Sequence, residues 1–299
     1  MLLLIVFAYL YLLLNLFFMK KIYLYTTACL FFLLGALQMN AQIIISGSTV
    51  AVNGTYATLT GASGAFAALN SNPNQTGNNI ILTITESITT ETGANSLNGT
   101  ANPWTSLTIK PNSTTPRSIT GTASTGMIRF DGADKVTIDG RSGGSGNYLR
   151  FLNSNTSNPT FAFLNDATYN TITYSIIESG TSAAYAGAIF FSTSAAGTLG
   201  NSNNTVSYCD IREKTTGGTV YPACLIRSVG TASVPNSANT FDNCNIFNCF
   251  SDGNSAYYMQ LLTGTTAWTI SNNSFYQTST RTSTTAVTNS TELYPIYIN

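Results

Sequence analysis

The 299-residue chain contains no histidine. That absence removes Ser-His-Asp triads and imidazole general bases from consideration. Charge is nearly as scarce, with 12 Lys+Arg and 12 Asp+Glu making up 8% of the residues. Such a chain carries no basic stripe for a phosphate backbone or an anionic bilayer, so neither nucleic acid nor a membrane surface is an expected partner. Cysteine is limited to five residues, and Cys209, Cys224, Cys244 and Cys249 are too few and too unevenly spaced for a zinc site. No cofactor or metal is expected. What remains is rich in Ser, Thr, Asn and Gly, with 16 Tyr and 16 Phe. Thr, Tyr, Phe, Val and Ile suit strands, whereas Asn, Gly and Ser suit turns. With 43% hydrophobic residues the chain can bury a core, which argues against wholesale disorder. The composition reads as all-β.

The start of the chain has its own grammar. "MKKIYLYTTACLFFLLGALQMNAQ" begins at Met19. Lys20 and Lys21 form a positive n-region, Ala28 to Leu37 an apolar h-region, and Met39-Asn40-Ala41 a cleavage site before Gln42. Residues 19–41 therefore read as a secretory signal peptide, with Cys29 as part of its apolar segment. Residues 1–18, "MLLLIVFAYLYLLLNLFF", form an apolar extension with no charged flank. Two readings stand: a membrane segment near the minimum spanning length, or a start assigned too early, with Met19 as the initiator. The complete leader beginning at Met19 favours the second. Removing Lys20 and Lys21 with the leader leaves ten basic against twelve acidic residues.

A repeat dominates the rest. "NTITYSII" at 170, "NTVSYCDI" at 204, "NTFDNCNI" at 239 and "WTISNNSF" at 268 align with one another. Their central apolar residues are Ile172, Val206, Phe241 and Ile270. Working backwards, Ile138, Ile109 and Ile84 take the same slot, each preceded by Thr. A second apolar segment lies upstream of most slots: "MIRF" at 127, "TFAFL" at 160, "AIFF" at 188, "CLIR" at 224 and "MQLL" at 259. Period-two alternation marks strands. Repeats of this length, unable to bury an apolar face alone, stack on their neighbours. Right-handed crossovers between parallel strands turn such a repeat into a coil. A right-handed parallel β-helix solenoid of about seven coils is expected over 80–299, after a cap region at 42–79. A β-sandwich also has many short strands, but gives no reason for one tripeptide to return at a near-constant step.

"YATLTGASGAFAALN" at 56–70, "GMIRFDGADKVTIDGR" at 126–141 and the "NT[IVF]xxC" columns resemble the right-handed parallel β-helix, pectin-lyase-like, repeat proteins. More narrowly, the chain is similar to secreted surface proteins exported by the type IX secretion system. The resemblance implies a short helix over GAFAALN capping the first coil, with Ser63 as N-cap and Phe66 and Leu69 on one face. It also implies a C-terminal sorting domain that the sequence lacks. "YPIYIN" at 294–299 looks like the upstream strand of another coil, so the remainder of a longer chain is expected beyond Asn299.

The densest charge lies in "DGADKVTIDGR", residues 131–141. By slot alignment Asp131-Gly132 falls opposite Asn165-Asp166, Asp134 opposite Thr168, and Asp139 in an outward polar column with Thr173, Ser207, Asp242 and Ser271. These are turn and surface positions. The functional alternative gathers Asp131, Asp134 and Asp139 by folding the turn over, with calcium held by oxygen ligands and Arg141 as a base or carboxylate clamp. β-Helix lyases, as the resemblance implies, pair calcium-bound acids with a basic residue, and glycosidases need two carboxyl groups across the bond. "DIREKTT" at 210–216 reads as a solvated edge or an acidic-sugar contact. Cys209 and Cys244 share a column, leaving either a disulfide or a ladder of thiols. Tyr185, Tyr208, Tyr221, Tyr257, Tyr258 and Trp268 are core residues or a sugar-stacking face. The expected function is a secreted or cell-surface β-helical module, extracellular and non-catalytic, that serves as a stalk or adhesion element in contact with polysaccharide or cell-surface glycan. The alternative is a β-helix polysaccharide lyase or glycoside hydrolase using Asp131, Asp134, Asp139 and Arg141.

Overall fold

The computed structural model describes residues 11, 15–21, 42–99, 104–182, 186–192, 197–215, 221–285 and 292–299. Two compact units result, Met1–Asn40 and Ala41–Asn299. In the first, residues 15–21 are helical, and among the described residues no helix is long and apolar enough to cross a membrane. Most of the apolar extension, the cleavage region and Cys29 lie outside the described residues.

The second unit is a parallel β-solenoid of seven stacked rungs, about six turns. Each rung contributes one strand to each of three sheets. The first sheet contains the repeat motif: Asn79–Ile84, Ser106–Pro111, Val136–Asp139, Thr171–Thr173, Thr205–Ser207, Thr240–Asp242 and Thr269–Ser271. The second sheet runs from Ile88–Glu91 to Ser274–Tyr276, and the third from Leu97–Asn98 to Leu293–Ile298. The upstream segments at 127, 160, 188, 224 and 259 all fall in the third sheet. "YPIYIN" continues it, with Tyr294 opposite Tyr257 and Ile296 opposite Met259.

Parallel in-register stacking places like side chains about 4.8 Å apart. Inside, Leu82, Ile109, Ile138, Ile172, Val206, Phe241 and Ile270 form one column. Ile119, Phe151, Ile177, Ile211 and Ile246 form a second. Phe130, Phe163 and Phe191 form a third, with ring centroids 5.2 and 4.4 Å apart. The first coil departs from the expected slot: Leu82, not Ile84, faces Ile109, and Ile84 faces Pro111. Both residues point inward, so alternation alone does not choose between them.

The repeat motif is also two strands rather than one. Tyr174, Tyr208, Asn243 and Asn272 take φ of 49–54°, turning the chain from the first sheet into the second. A matching column precedes the first sheet at Lys135, Tyr169, Asn203, Ala238 and Ala267, with φ of 53–59°. Left-handed backbone outside glycine is uncommon, and here it recurs in four successive rungs at one corner and five at the other.

Buried asparagines support these corners. The Asn204 amide donates to the Ala167 carbonyl at 2.9 Å, and its Oδ1 accepts from the Asn170 backbone and side-chain nitrogens, both at 3.0 Å. Asn239 repeats the pattern one coil on. The N-terminal end is closed by the antiparallel strands Ile43–Ser46 and Gly54–Tyr56 and a helix, Ala65–Asn70, that buries Phe66 and Leu69. Ser63 is not its cap. Gly64 holds that position without a side-chain bond, because Ala65 and Phe66 donate instead to the Thr58 and Leu59 carbonyls at 2.9 Å.

Candidate functional site

The strand Val136–Asp139 divides the acidic stretch. Before it, Asp131 accepts from the Asn165 amide at 2.7 Å and from the Ser96 hydroxyl at 3.2 Å. Asp134 accepts from the Thr168 backbone at 2.8 Å and its hydroxyl at 2.6 Å. Gly132 and Lys135, with φ of 68° and 58°, turn the chain between them. The slot alignment is one residue out for Asp131, which faces Leu164, so that Asn165 sits beside Gly132. The arc from the third sheet to the first is one residue shorter in this coil, as Phe130–Ile138 against Phe163–Ile172 shows.

A third carboxylate joins them that sequence reasoning missed. Asp166 accepts the backbone N–H groups of Thr198, Leu199 and Gly200 at 2.6, 3.1 and 2.7 Å. Together Asp131, Asp134 and Asp166 line a concavity of about 440 Å³ with Asn98, Asn165 and Thr168. Each carboxylate in it is engaged by neutral donors, mostly from the next coil. Among the described residues, no group of three or more His, Cys, Asp or Glu is placed to hold a metal ion.

Asp139 and Arg141 lie beyond the far end of the strand, paired with each other. Arg141 Nε and Nη2 donate to the two carboxylate oxygens at 2.9 and 2.8 Å, and the Arg141 backbone adds a third bond at 3.0 Å. Partial burial by itself raises the Asp139 carboxyl, but these bonds and the cation outweigh it and hold the group below its ordinary value. The guanidinium lies 4.4 Å from the Tyr174 ring, which stacks on Tyr208 at 4.7 Å. Gly140 is required at this corner, since a Cβ would meet the Tyr174 carbonyl at 1.7 Å. The four candidates therefore form two separate sites, with the extended strand between them.

Other charges tie coils together. Glu178 is fully buried and meets Arg150 at 2.5 Å and Arg212 at 3.0 Å, from the rungs on either side. In the 210–215 stretch Arg212 is thus engaged, Asp210 accepts from the Asn245 amide at 2.9 Å, and Glu213 meets Asn248 at 2.8 Å and Arg281 at 3.7 Å. This segment is neither a free edge nor an open cationic site. The four cysteines are free, buried thiols, and burial pushes Cys224 up to about 12.

The candidate aromatics do not share a face. Tyr258 is buried and donates to the Tyr276 carbonyl at 2.8 Å. Trp268 packs on Phe241 at 5.6 Å and donates to the Asn236 carbonyl. Tyr208 is 44% exposed. Tyr185 lies outside the described residues.

The first sheet presents two outward columns. One is the expected Asp139, Thr173, Ser207, Asp242 and Ser271, internally bonded through Thr173–Ser207 at 3.1 Å and Ser271–Asp242 at 2.7 Å. The other is Thr108, Thr137, Thr171, Thr205, Thr240 and Thr269. Comparison with family models, with curated proteins and with solved structures returned no match.

Proposed function

We propose that the Ala41–Asn299 unit is a non-catalytic module of the pectin-lyase-like β-helix kind, carried outside the cell as a stalk or adhesion element that contacts glycan. One observation carries this reading. The six hydroxyls of the threonine column have no protein partner among the described residues, and the sheet repeats them at a spacing of about 4.8 Å. A regular row of uncharged donors and acceptors can hydrogen-bond an extended polysaccharide without an electrostatic contribution. The leader at 19–41 supports export, and the resemblance to type IX-secreted surface proteins supports a place at the cell surface.

The test is retention of the unit on a panel of plant, algal and host polysaccharides, with release of reducing or unsaturated ends followed in the same samples. Retention without release is expected, and Thr171→Lys with Thr205→Lys should weaken it. A second reading, a polysaccharide lyase or hydrolase with calcium as an oxygen-bound cofactor, draws on the concavity shared by Asp131, Asp134 and Asp166. Release of ends that disappears in Asp131→Ala or Asp139→Ala would establish it in place of the first.

A further inference from the structure

A second concavity differs in kind from the acidic one. It measures about 580 Å³, within the range of about 300–1,000 Å³ usual for small-molecule sites, and lies between the 249–256 and 277–283 segments of the last two rungs. Its walls are fixed from behind. Thr278 donates through its backbone and hydroxyl to Asn248 at 2.8 and 3.0 Å. Asp252 accepts from Thr284 and Thr285 backbone groups at 2.9 and 3.1 Å and from the Ser283 hydroxyl at 2.5 Å. Arg281 is packed 4.1 Å from the Tyr221 ring and forms an ion pair with Glu213 at 3.7 Å. Tyr221 in turn meets Phe250 edge-on at 5.7 Å.

Against this fixed frame, the hydroxyls of Ser251, Ser279 and Thr280 line the concavity and make no protein hydrogen bond among the described residues. Phe250 and Leu293 supply apolar surface beside them. Uncommitted hydroxyls facing an apolar patch, with the nearby guanidinium already paired, match a ligand that is neutral, rich in hydroxyls and apolar on one face. We infer that this concavity is a subsite for one or two neutral pyranose units of a glycan. The inference rests on the glycan-contact reading above and deepens it: the threonine column would align the chain, while this pocket would recognise an individual sugar or chain end.

The Ala41–Asn299 unit contains all three sheets and its own core, so it is the form to test. Calorimetric titration with cellobiose, lactose, mannobiose and N,N′-diacetylchitobiose should show binding of at least one. Thr280→Ala, which removes one hydrogen-bonding group, should weaken that binding by about fivefold. Thr280→Trp on one wall and Ser251→Trp on the other fill the space and should each abolish it, with thermal melts confirming that each variant folds. Binding unchanged in both tryptophan variants overturns the pocket. So does a failure of all four sugars to bind while polysaccharide retention persists, an outcome that leaves the glycan reading intact. Absence of both sugar binding and retention overturns the two together.

Discussion

Glu178 and Glu91 are both carboxylates sealed from water on the second sheet, and the protein satisfies them in opposite ways. Glu178 lies mid-stack, clamped by Arg150 and Arg212 from the neighbouring rungs. Glu91, 2% exposed, meets no cation among the described residues. It accepts from the Leu59 and Thr60 backbones at 2.6 and 2.7 Å and from the Thr60 hydroxyl, tying the N-terminal cap to the first rung. A mid-stack position has rungs on both sides that can supply charge, whereas the end position has a rung on one side only and on the other the cap, which offers backbone N–H groups and the Thr60 hydroxyl. The comparison breaks most visibly if both are truncated. Glu178→Ala leaves two largely buried guanidinium groups without their carboxylate and should cost about 3–5 kcal/mol in urea unfolding. Glu91→Ala leaves neutral donors unsatisfied and should cost about 2–3 kcal/mol. Equal losses would mean that the arginines contribute nothing beyond hydrogen bonding.

The same contrast gives a pH dependence. Burial raises the Glu91 carboxyl above its ordinary 4.5, and the three hydrogen bonds only partly offset this. A carboxyl raised in the folded state contributes stability that is present below 4.5 and lost as pH climbs through the raised value. Unfolding free energy should therefore decline on the neutral side of that window, and Glu91→Gln should flatten the decline. Asp242 behaves in the opposite sense. The Ser271 hydroxyl and Asn272 amide hold its carboxyl below 3.8, so its contribution is present above 3.8 and lost as pH falls. Asp242→Asn should flatten the acid limb and leave the neutral limb as it is. A profile in which both variants alter the same limb would contradict the opposed directions.

What could be read from the sequence follows from how a solenoid folds. The third-sheet segments, the Asp139–Thr173–Ser207–Asp242–Ser271 column and the coil class were legible, because stacking turns a step of about 34 residues into direct contact. The corners were not. Tyr174 and Tyr208 adopt left-handed backbone at positions where tyrosine gives no turn signal, so one eight-residue motif concealed two strands. The site was read least well, for the same geometric reason. Residues 131–141 crowd charge in sequence, yet an extended strand carries Asp139 and Arg141 away from Asp131 and Asp134. The true neighbours of these groups are a rung away: Asn165 and Ser96 for Asp131, Thr168 for Asp134. Glu178, Glu91 and Asp166 are isolated in sequence and gave no signal, although each is heavily bonded in space. Coil-to-coil alignment would have placed Arg212 against Glu178, but not Arg150, which lies opposite Ile176 and reaches Glu178 diagonally.

The smallest effect should come from the residue pair that looked most catalytic. The Asp139 and Arg141 side chains are 24% and 33% exposed, and a solvated ion pair of that kind contributes about 0.2–1 kcal/mol. Asp139→Asn keeps an acceptor for the Arg141 backbone and leaves Arg141 over the Tyr174 ring, so urea unfolding should shift by no more than that amount. Because the folded Asp139 carboxyl lies below 3.8, its contribution is present above 3.8 and disappears as pH falls. The difference between wild type and variant should therefore vanish toward acid pH and persist at neutral pH. A loss as large as that of Glu178→Ala would show that Asp139 supports the corner at Gly140 itself. It would then be a structural anchor whose removal could no longer serve as a clean test of catalysis, and Asp131→Ala would have to take its place.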